Sequence, residues 1–581
     1  MNVLNGLAGA SGFGSGRAVV KCKSKIIPQR RFVQNSEAEI KRFREAQIVC
    51  EKRIQERMKK AGELGKAAAE IFTAHRAILN DEAFFQGIFS RVESEKLNIE
   101  FLIYDEFEKI TARFEAVDDQ LLRERAADIE QVCHEVIGIL YGVDGSGVAE
   151  RDKALSKCDE NTIIVSYELT PAEAIGLDKR TLKGFVTEKG GVTSHTVILA
   201  KALGIPAITG VRGAADVVKS GDYLLIDGCL GRVIVNPDGA KVANFMLRSA
   251  EYARKQAFYA EYFEKKALTL DGHRIDVGVN SGDEQSIKGF EPNRCDGIGL
   301  LRTEFLYMSR SEYPDEQVQY EIYGGLAFKA GGKEVVIRTL DMGGDKQAPY
   351  MALPQEENPF LGYRAIRICL DRRELFHTQL RAILRASAHG NVKIMFPMII
   401  NLEELRTAKQ CVERAKCSLK EQGIPFNEHI EVGIMIETPA AVLISDKLAR
   451  EADFFSIGSN DLVQYVTAAD RKNERVNKLY DNCNISVLRA IKMVSESAGK
   501  AQIPWGICGE VASEALLLPV WAAFGVSKLS VAPALVGRVK YGIGQLSRLD
   551  VMETVKSALN QDTAAGARRE LDALLAQLGL V

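Results

Sequence analysis

One histidine of this chain sits in a setting suited to carrying a phosphoryl group. The segment reads Gly190-Gly191-Val192-Thr193-Ser194-His195-Thr196, followed by Val197-Ile198-Leu199-Ala200-Lys201-Ala202-Leu203-Gly204-Ile205-Pro206. Gly190 and Gly191 break the strand-like run Gly184-Phe185-Val186-Thr187, the apolar spacing after Thr196 is helical, and Gly204 with Pro206 ends the helix. Thr193 or Ser194 is a natural N-cap, which puts His195 in the first helical turn. The outward N–H groups and the positive end of the macrodipole there disfavour imidazolium, so the ring stays a neutral nucleophile, and they favour a phosphoryl group once it is attached. A helix-start histidine alone is more often an ordinary surface residue, so other parts of the chain must supply a reaction.

A second set of chemically capable residues closes a series of short apolar runs. The run Gly297–Arg302 ends in Arg302-Thr303-Glu304, and Val335–Asp341 contains Arg338 and leads into Gly343-Gly344-Asp345-Lys346. Val432–Glu437 ends in Glu437-Thr438-Pro439, Phe454–Ser459 precedes Asn460-Asp461, and Gly506–Gly509 holds Cys508. Arg364 lies in Asn358-Pro359-Phe360-Leu361-Gly362-Tyr363-Arg364, and Arg471 follows Asp470. Several guanidinium groups and a lysine at one mouth point to a phosphate or carboxylate substrate, because both anions accept bidentate pairs. Glu437 and Asp461, from adjacent strands, could share one Mg2+ and leave positions for water and substrate oxygens. Taken singly, each arginine reads as an ion pair, each carboxylate as a helix cap and Cys508 as a small buried residue. Taken together they read as a binding site.

The elements that would gather these residues can be traced along the chain. With Ile275–Asn280, Val392–Met398 and Leu529–Val531 added, eight short apolar runs alternate with helical segments from Asp271 onward, which is the pattern of a (β/α)8 barrel with its site at the C-terminal strand ends. Residues 1–20 are Gly-rich and then strand-like. The run Gly12-Phe13-Gly14-Ser15-Gly16 lacks the preceding strand and following helix of a dinucleotide loop and is not read as one. Residues 34–142 are helical by pattern, and Asp144-Gly145-Ser146-Gly147 is a linker. Residues 148–235 alternate short strands, such as Ile163–Ser166 and Tyr223–Ile226, with helices. A long polar helix from about Ala240 to Lys266 then reads as a solvated connector.

Composition narrows the class. A chain of 581 residues exceeds a single core, so about three or four domains are expected. With 46% hydrophobic and 27% charged residues it reads as a soluble globular protein. Lys and Arg total 76 against 78 Asp and Glu, so no basic excess supports nucleic-acid binding. No apolar run approaches membrane-spanning length, and the first residues do not read as a signal peptide. The 11 cysteines are scattered without metal-ligand spacing, which suits reduced thiols in a cytoplasmic protein.

The ordered set of segments resembles the Enzyme I family of the bacterial sugar phosphotransferase system, the phosphoenolpyruvate–protein phosphotransferases. Gly190–Thr196 is similar to the family's phosphohistidine signature, and Asp453-Phe454-Phe455-Ser456-Ile457-Gly458-Ser459-Asn460-Asp461-Leu462-Val463-Gln464-Tyr465 to its second signature. Arg302-Thr303-Glu304-Phe305-Leu306, Asp341-Met342-Gly343-Gly344-Asp345-Lys346 and Glu357-Asn358-Pro359-Phe360-Leu361-Gly362 match as well. The resemblance implies a multidomain α/β protein. A swivelling phosphohistidine α/β domain (1–20 and 147–235) would carry an all-helical insert (21–146) that binds the phosphocarrier protein HPr. A connector helix (236–266) would lead to a phosphoenolpyruvate-binding (β/α)8 barrel and dimerisation domain (267–581). It further implies that His195 is the nucleophile, that Thr170 contacts the phosphohistidine, and that Arg302, Arg338, Lys346, Arg364, Asn460 and Arg471 bind substrate. Glu437 and Asp461 would hold Mg2+, Cys508 would donate a proton to the enolate, and the protein would work as a cytoplasmic homodimer. Two positions depart from the pattern: Val192 stands where relatives often carry arginine, and Lys66-Ala67-Ala68-Ala69 where some carry acidic residues. A dikinase-type relative would need a nucleotide-binding domain, for which the helical region offers no Gly-rich loop. A non-catalytic scaffold would have no need of an intact His195, Cys508, Glu437 and Asp461.

Overall fold

A computed structural model describes residues 2–21, 27–64, 72, 75–115, 120–141, 161–167, 181–190, 197, 200, 204–308, 310, 312–344, 346, 348–471, 473 and 475–580. The chain divides into two units, Met1–Arg254 and Lys255–Val581.

The first unit contains an eight-stranded sheet. Its strands are β1 (Asn2–Asn5), β2 (Leu7–Ala10), β3 (Phe13–Lys21), β4 (Thr162–Ser166), β5 (Leu182–Thr187), β6 (Ala207–Thr209), β7 (Tyr223–Asp227) and β8 (Arg232–Val235), in the order β1-β8-β7-β3-β4-β5-β6-β2. β3 through β6 run parallel and the outer pairs antiparallel. The central strand Thr162-Ile163-Ile164-Val165-Ser166 is buried along its whole length, as a parallel strand covered on both faces must be. Gly14 and Gly16 lie inside β3, where an ideal Cβ would stand 2.1 Å from the carbonyl oxygen of Lys183 and 1.9 Å from that of Asn161. These glycines therefore let strands pack closely and do not cradle a phosphate.

The described residues of the same unit also form the helices α1 (Ser36–Leu64), α2 (Glu82–Glu95), α3 (Ile99–Glu115) and α4 (Gln120–Leu140). Phe43, Phe85, Phe89 and Phe107 share one apolar core with Ile54, Leu102 and Val136, and burying each large side chain stabilises by about 1.5–3 kcal/mol. Asp81 caps α2 by accepting the N–H of Phe84 at 3.1 Å. Arg42 of α1 reaches Glu39 and the fully buried Glu100 of α3, each at 2.6 Å.

The long polar helix expected to reach Lys266 is α5 (Gly239–Ala260) and ends six residues earlier. The chain leaves it through i→i+3 turns, with the N–H groups of Glu261, Tyr262 and Phe263 donating to Phe258, Tyr259 and Ala260. Phe258 and Tyr262 there gather around Tyr541, with ring centroids 5.0 and 5.2 Å away. Aromatic packing thus overrides a sequence that is otherwise compatible with helix.

The second unit is a closed parallel barrel, and all eight expected runs are strands. They are β9 (Asp276–Ser281), β10 (Gly297–Leu301), β11 (Glu334–Arg338), β12 (Val392–Phe396), β13 (Val432–Ile436), β14 (Phe455–Ile457), β15 (Trp505–Ile507) and β16 (Lys528–Val531), with β16 pairing back onto β9. Leu300, Val336, Met395, Met435, Phe454 and Cys508 form one apolar cluster, contributed by or beside six of these strands. Near the strand starts, Glu334 pairs with Lys528 and with Lys393 at 3.0 Å, and Lys393 also meets Glu431 at 2.7 Å. Three later helices matter below: α6 (Ser459–Thr467), α7 (Ile485–Ala501) and α8 (Arg548–Leu559). Among the described residues no helix is long and apolar enough to cross a membrane.

Replacing Gly16 by Ala drives a methyl group into the Asn161 carbonyl. The expected loss is about 1–3 kcal/mol of stability in the first unit, read as a lower midpoint of its transition in scanning calorimetry, with the barrel transition unmoved.

Candidate active site

The C-terminal strand ends of the barrel carry a dense set of charges, organised around one carboxylate. Asp341, just beyond β11 and 1% exposed, accepts Arg364 Nη2 at 2.9 Å on Oδ1, and Lys346 Nζ at 2.9 Å and Arg338 Nη2 at 3.1 Å on Oδ2. Arg338, the last residue of β11, also donates to Glu304 Oε1 at 2.7 Å. Burial opposes the charges of Arg338 and Arg364, but the neighbouring Asp341, with Glu304 for the first and Asp461 for the second, outweighs it and raises both groups above the ordinary arginine value. Burial likewise opposes ionisation of Asp341, yet Lys346, Arg338 and Arg364 hold it well below the usual carboxylate range.

Backbone and polar contacts position this cluster. Thr303 Oγ1 donates to the Arg338 carbonyl at 3.0 Å, and buried Gln379 joins the two strand ends by donating to Thr303 Oγ1 at 3.1 Å and accepting the Leu340 N–H at 2.9 Å. Gly343 has φ +97°, and a Cβ there would lie 2.6 Å from Arg364 Cβ. Only glycine lets the turn after Asp341 pass so close to the Arg364 segment. Tyr465 of α6 donates its hydroxyl proton to the Phe360 carbonyl and accepts Arg364 Nη1 at 3.2 Å, which ties the loop carrying Arg364 to the helix carrying Asp461.

Glu437 follows β13 and Asp461 lies in the first turn of α6. Glu437 is 1% exposed, and its Oε1 accepts the N–H of Met398, a residue held at φ +59°, at 2.7 Å. Its Oε2 is buried and has no hydrogen-bond partner among the described residues. Burial, then the charges of Asp461 and Asp341, push the Glu437 carboxyl up to about 8. An orphaned buried oxygen under like-charge pressure fits a cation held by Glu437 and Asp461. Among the described residues no group of three or more His, Cys, Asp and Glu could hold a metal. Two protein carboxylates, completed by substrate oxygens and water, are the donor set of a hard divalent ion.

The remaining expected residues flank this centre. Arg302 follows β10 and is exposed; with Asn460, Arg471, Asn477, Tyr480 and Glu510 it lines a cavity of about 550 Å³. Asn460 Oδ1 accepts the Glu510 N–H at 3.4 Å. Cys508 follows β15, is 2% exposed, and places its Sγ 3.5 Å from the Ile457 carbonyl oxygen. Burial pushes its thiol up, so it stays protonated at neutral pH. The structure thus joins Arg338, Lys346, Arg364 and Asp461 in one ion-pair network around Asp341, sets Glu437 within electrostatic reach of it, and puts Arg302, Asn460 and Arg471 around one cavity. His195 and Thr170 lie outside the described residues, as does Val192. Nearby, Val197 and Ala200 are helical and fully buried, and Gly190 and Gly204 take φ of +111° and +70°.

Sequence reasoning left Asp341, Glu304, Tyr465 and Met398 without roles. Asp341 stands three residues after Arg338, a spacing that could have marked it as a partner. Tyr465 and the positive φ of Met398 have no local signal, since each acts on a residue distant in sequence.

Comparison with known proteins bears on the same regions. Three family models match: "PEP-utilising enzyme, N-terminal" over residues 5–125, "PEP-utilising enzyme, mobile domain" over 158–231 and "PEP-utilising enzyme, PEP-binding domain" over 256–548. The chain is 39% identical over 563 residues to the phosphoenolpyruvate-protein phosphotransferase of Bacillus sp. (strain S), covering 97% of this chain and 96% of the relative. It is 39% identical over 562 residues to that of Listeria innocua serovar 6a, with 97% of each covered. Against that of Bacillus subtilis (strain 168) it is 38% identical over 565 residues, with 97% and 98% covered. By domain content and near full-length similarity, the chain belongs to the phosphoenolpyruvate-protein phosphotransferase family of PEP-utilising enzymes.

Proposed function

We propose that this enzyme moves the phosphoryl group of phosphoenolpyruvate to its own His195 and then to a histidine of the phosphocarrier protein HPr. Pyruvate is released, and the transfer is the first step of sugar uptake by the phosphotransferase system. The observation that carries the reading is the set of three cations locked on Asp341 beside the carboxylate pair Glu437 and Asp461. A substrate with a phosphate and a carboxylate needs several rigidly held cations, and phosphoryl transfer depends on positioning and charge neutralisation more than on covalent help.

In this reading Arg302, Arg338, Lys346, Arg364, Asn460 and Arg471 bind the phosphate and carboxylate. A neutral ring nitrogen of His195 attacks phosphorus in line. The P–O bond to the bridging oxygen breaks and its electron pair stays on that oxygen as the enolate. The Cys508 thiol gives its proton to the methylene carbon, pyruvate forms, and the thiolate is reprotonated from water. Mg2+ held by Glu437 and Asp461 would supply charge neutralisation at the phosphoryl oxygens. A carrier histidine then attacks the phosphoryl group, the P–N bond to His195 breaks, and the enzyme is restored. Thr170 contacts the phosphohistidine. The phosphohistidine domain (1–20 and 147–235), the HPr-binding insert (21–146), the connector (236–266), a homodimer through 267–581 and a cytoplasmic place of action belong to the same proposal.

Incubation with labelled phosphoenolpyruvate and Mg2+ is expected to give acid-labile label on the protein and stoichiometric pyruvate. His195→Ala should take no label, and Cys508→Ala should bind substrate but form phosphohistidine at least tenfold more slowly. Undiminished label on His195→Ala would overturn the proposal.

The cation site also carries a pH signature. With the Glu437 carboxyl raised to about 8, cation binding below that pH displaces a proton. Mg2+ affinity should therefore tighten by up to about tenfold per pH unit from pH 6 to 8 and level off above it. Calorimetry in buffers of different ionisation enthalpy should show close to one proton released at pH 7 and none in Glu437→Gln.

A further inference from the structure

The opposite end of the barrel holds a second cavity, of about 380 Å³, where the chain enters β15 and β16. Its apolar wall is Ile503, Pro504, Trp505 and Phe524, and its rim carries Lys492, Glu496 and Arg548. This volume falls within the ~300–1,000 Å³ of small-molecule sites, which combine an apolar lining with a few placed polar groups.

The charges are unevenly matched. Lys492 and Glu496, one turn apart on α7, pair at 3.7 Å. Arg548, the first residue of α8, lies against Gly525, where a Cβ would stand 2.8 Å from Arg548 Nη2. Its Nε is buried without a hydrogen-bond partner, and among the described residues no carboxylate pairs with its guanidinium. Asp271 meets this turn through backbone, accepting the Leu549 N–H at 3.1 Å. The other polar groups are already engaged: Ser527 Oγ donates to the Trp505 carbonyl at 2.7 Å, and Ser495 Oγ to the Lys492 carbonyl at 2.7 Å. What remains without a partner is the buried Nε of Arg548, in a lining that includes Trp505 and Phe524.

We infer that this cavity is a second ligand site, taking a small organic monocarboxylate with an apolar body. The carboxylate pairs with Arg548, and the body lies against Trp505, Phe524 and Pro504. The site is separate from the mouth lined by Arg302 and Arg471, because it sits at the strand starts and they sit at the strand ends.

The chain has two tryptophans, and the other, Trp521, is buried with its indole N–H on the Val511 carbonyl at 3.1 Å. Benzoate titrated into the full-length protein should therefore give a saturable change in intrinsic fluorescence, absent in Trp505→Phe. Arg548→Gln should weaken benzoate at least tenfold by calorimetry, and Arg302→Gln should leave it unchanged. Gly499 lines the cavity with open space around the position of a Cβ, so Gly499→Leu should fill it and abolish binding while keeping the helix. The inference is overturned if benzoate gives no saturable signal, if Arg548→Gln or Gly499→Leu binds it as wild type does, if benzyl alcohol binds equally well, or if Arg302→Gln loses it.

Discussion

The Asp341 carboxylate is the contact on which the catalytic end of the barrel depends. Three cationic groups from three separate segments converge on its two oxygens. Burying such charges alone is expensive, and the buried anion between them, with Glu304 and Asp461 alongside, offsets that cost. Removing that anion would leave the three cations with only Glu304 and Asp461 as carboxylate partners among the described residues. With it, the guanidinium groups are fixed before a substrate arrives, so little ordering remains for the bound complex to supply. The same logic explains Glu437. Burial, and after it the neighbouring Asp461 and Asp341, make a further negative charge unwelcome, so without a cation at neutral pH the carboxyl keeps its proton. Three cations then face Asp341, Glu304 and Asp461 in approximate balance.

The barrel makes this arrangement possible because its strand ends differ in chemistry. Near the strand starts, Glu334, Lys393 and Lys528 form ion pairs. At the other end strands run out into arginine, glutamate and cysteine. Cys508 joins the apolar cluster with Leu300, Val336 and Met435, while Glu510, two residues on, lines the cavity at the mouth. That burial keeps the thiol protonated, as the proposed role of proton donor requires.

Much of the barrel was legible in the chain because parallel strands are buried on both faces and therefore read as uninterrupted apolar runs. Their polar ends stood out for the same reason, and Arg302, Arg338, Glu437 and Cys508 are all found at or directly after strand ends. The long helix was overextended because polar residues through Lys266 suit a helix, and the packing of Phe258 and Tyr262 on Tyr541 depends on a residue far along the chain. Tyr465 and Met398 were invisible for a similar reason. One fastens a loop a hundred residues away, and the other acts through a backbone N–H in a left-handed conformation. Gly14 and Gly16 resembled a nucleotide loop in composition, and only the close carbonyls of Lys183 and Asn161 reveal what they are for.

Asp341 anchors the cation cluster, and the most direct measurement of that role is kcat/KM for phosphoenolpyruvate in Asp341→Asn. The isosteric amide keeps the shape and removes the charge, so the account predicts a fall of about 100-fold or more, equivalent to about 2.7 kcal/mol of lost transition-state stabilisation, with the circular dichroism spectrum retained. A kcat/KM within about threefold of wild type in a folded variant would contradict it.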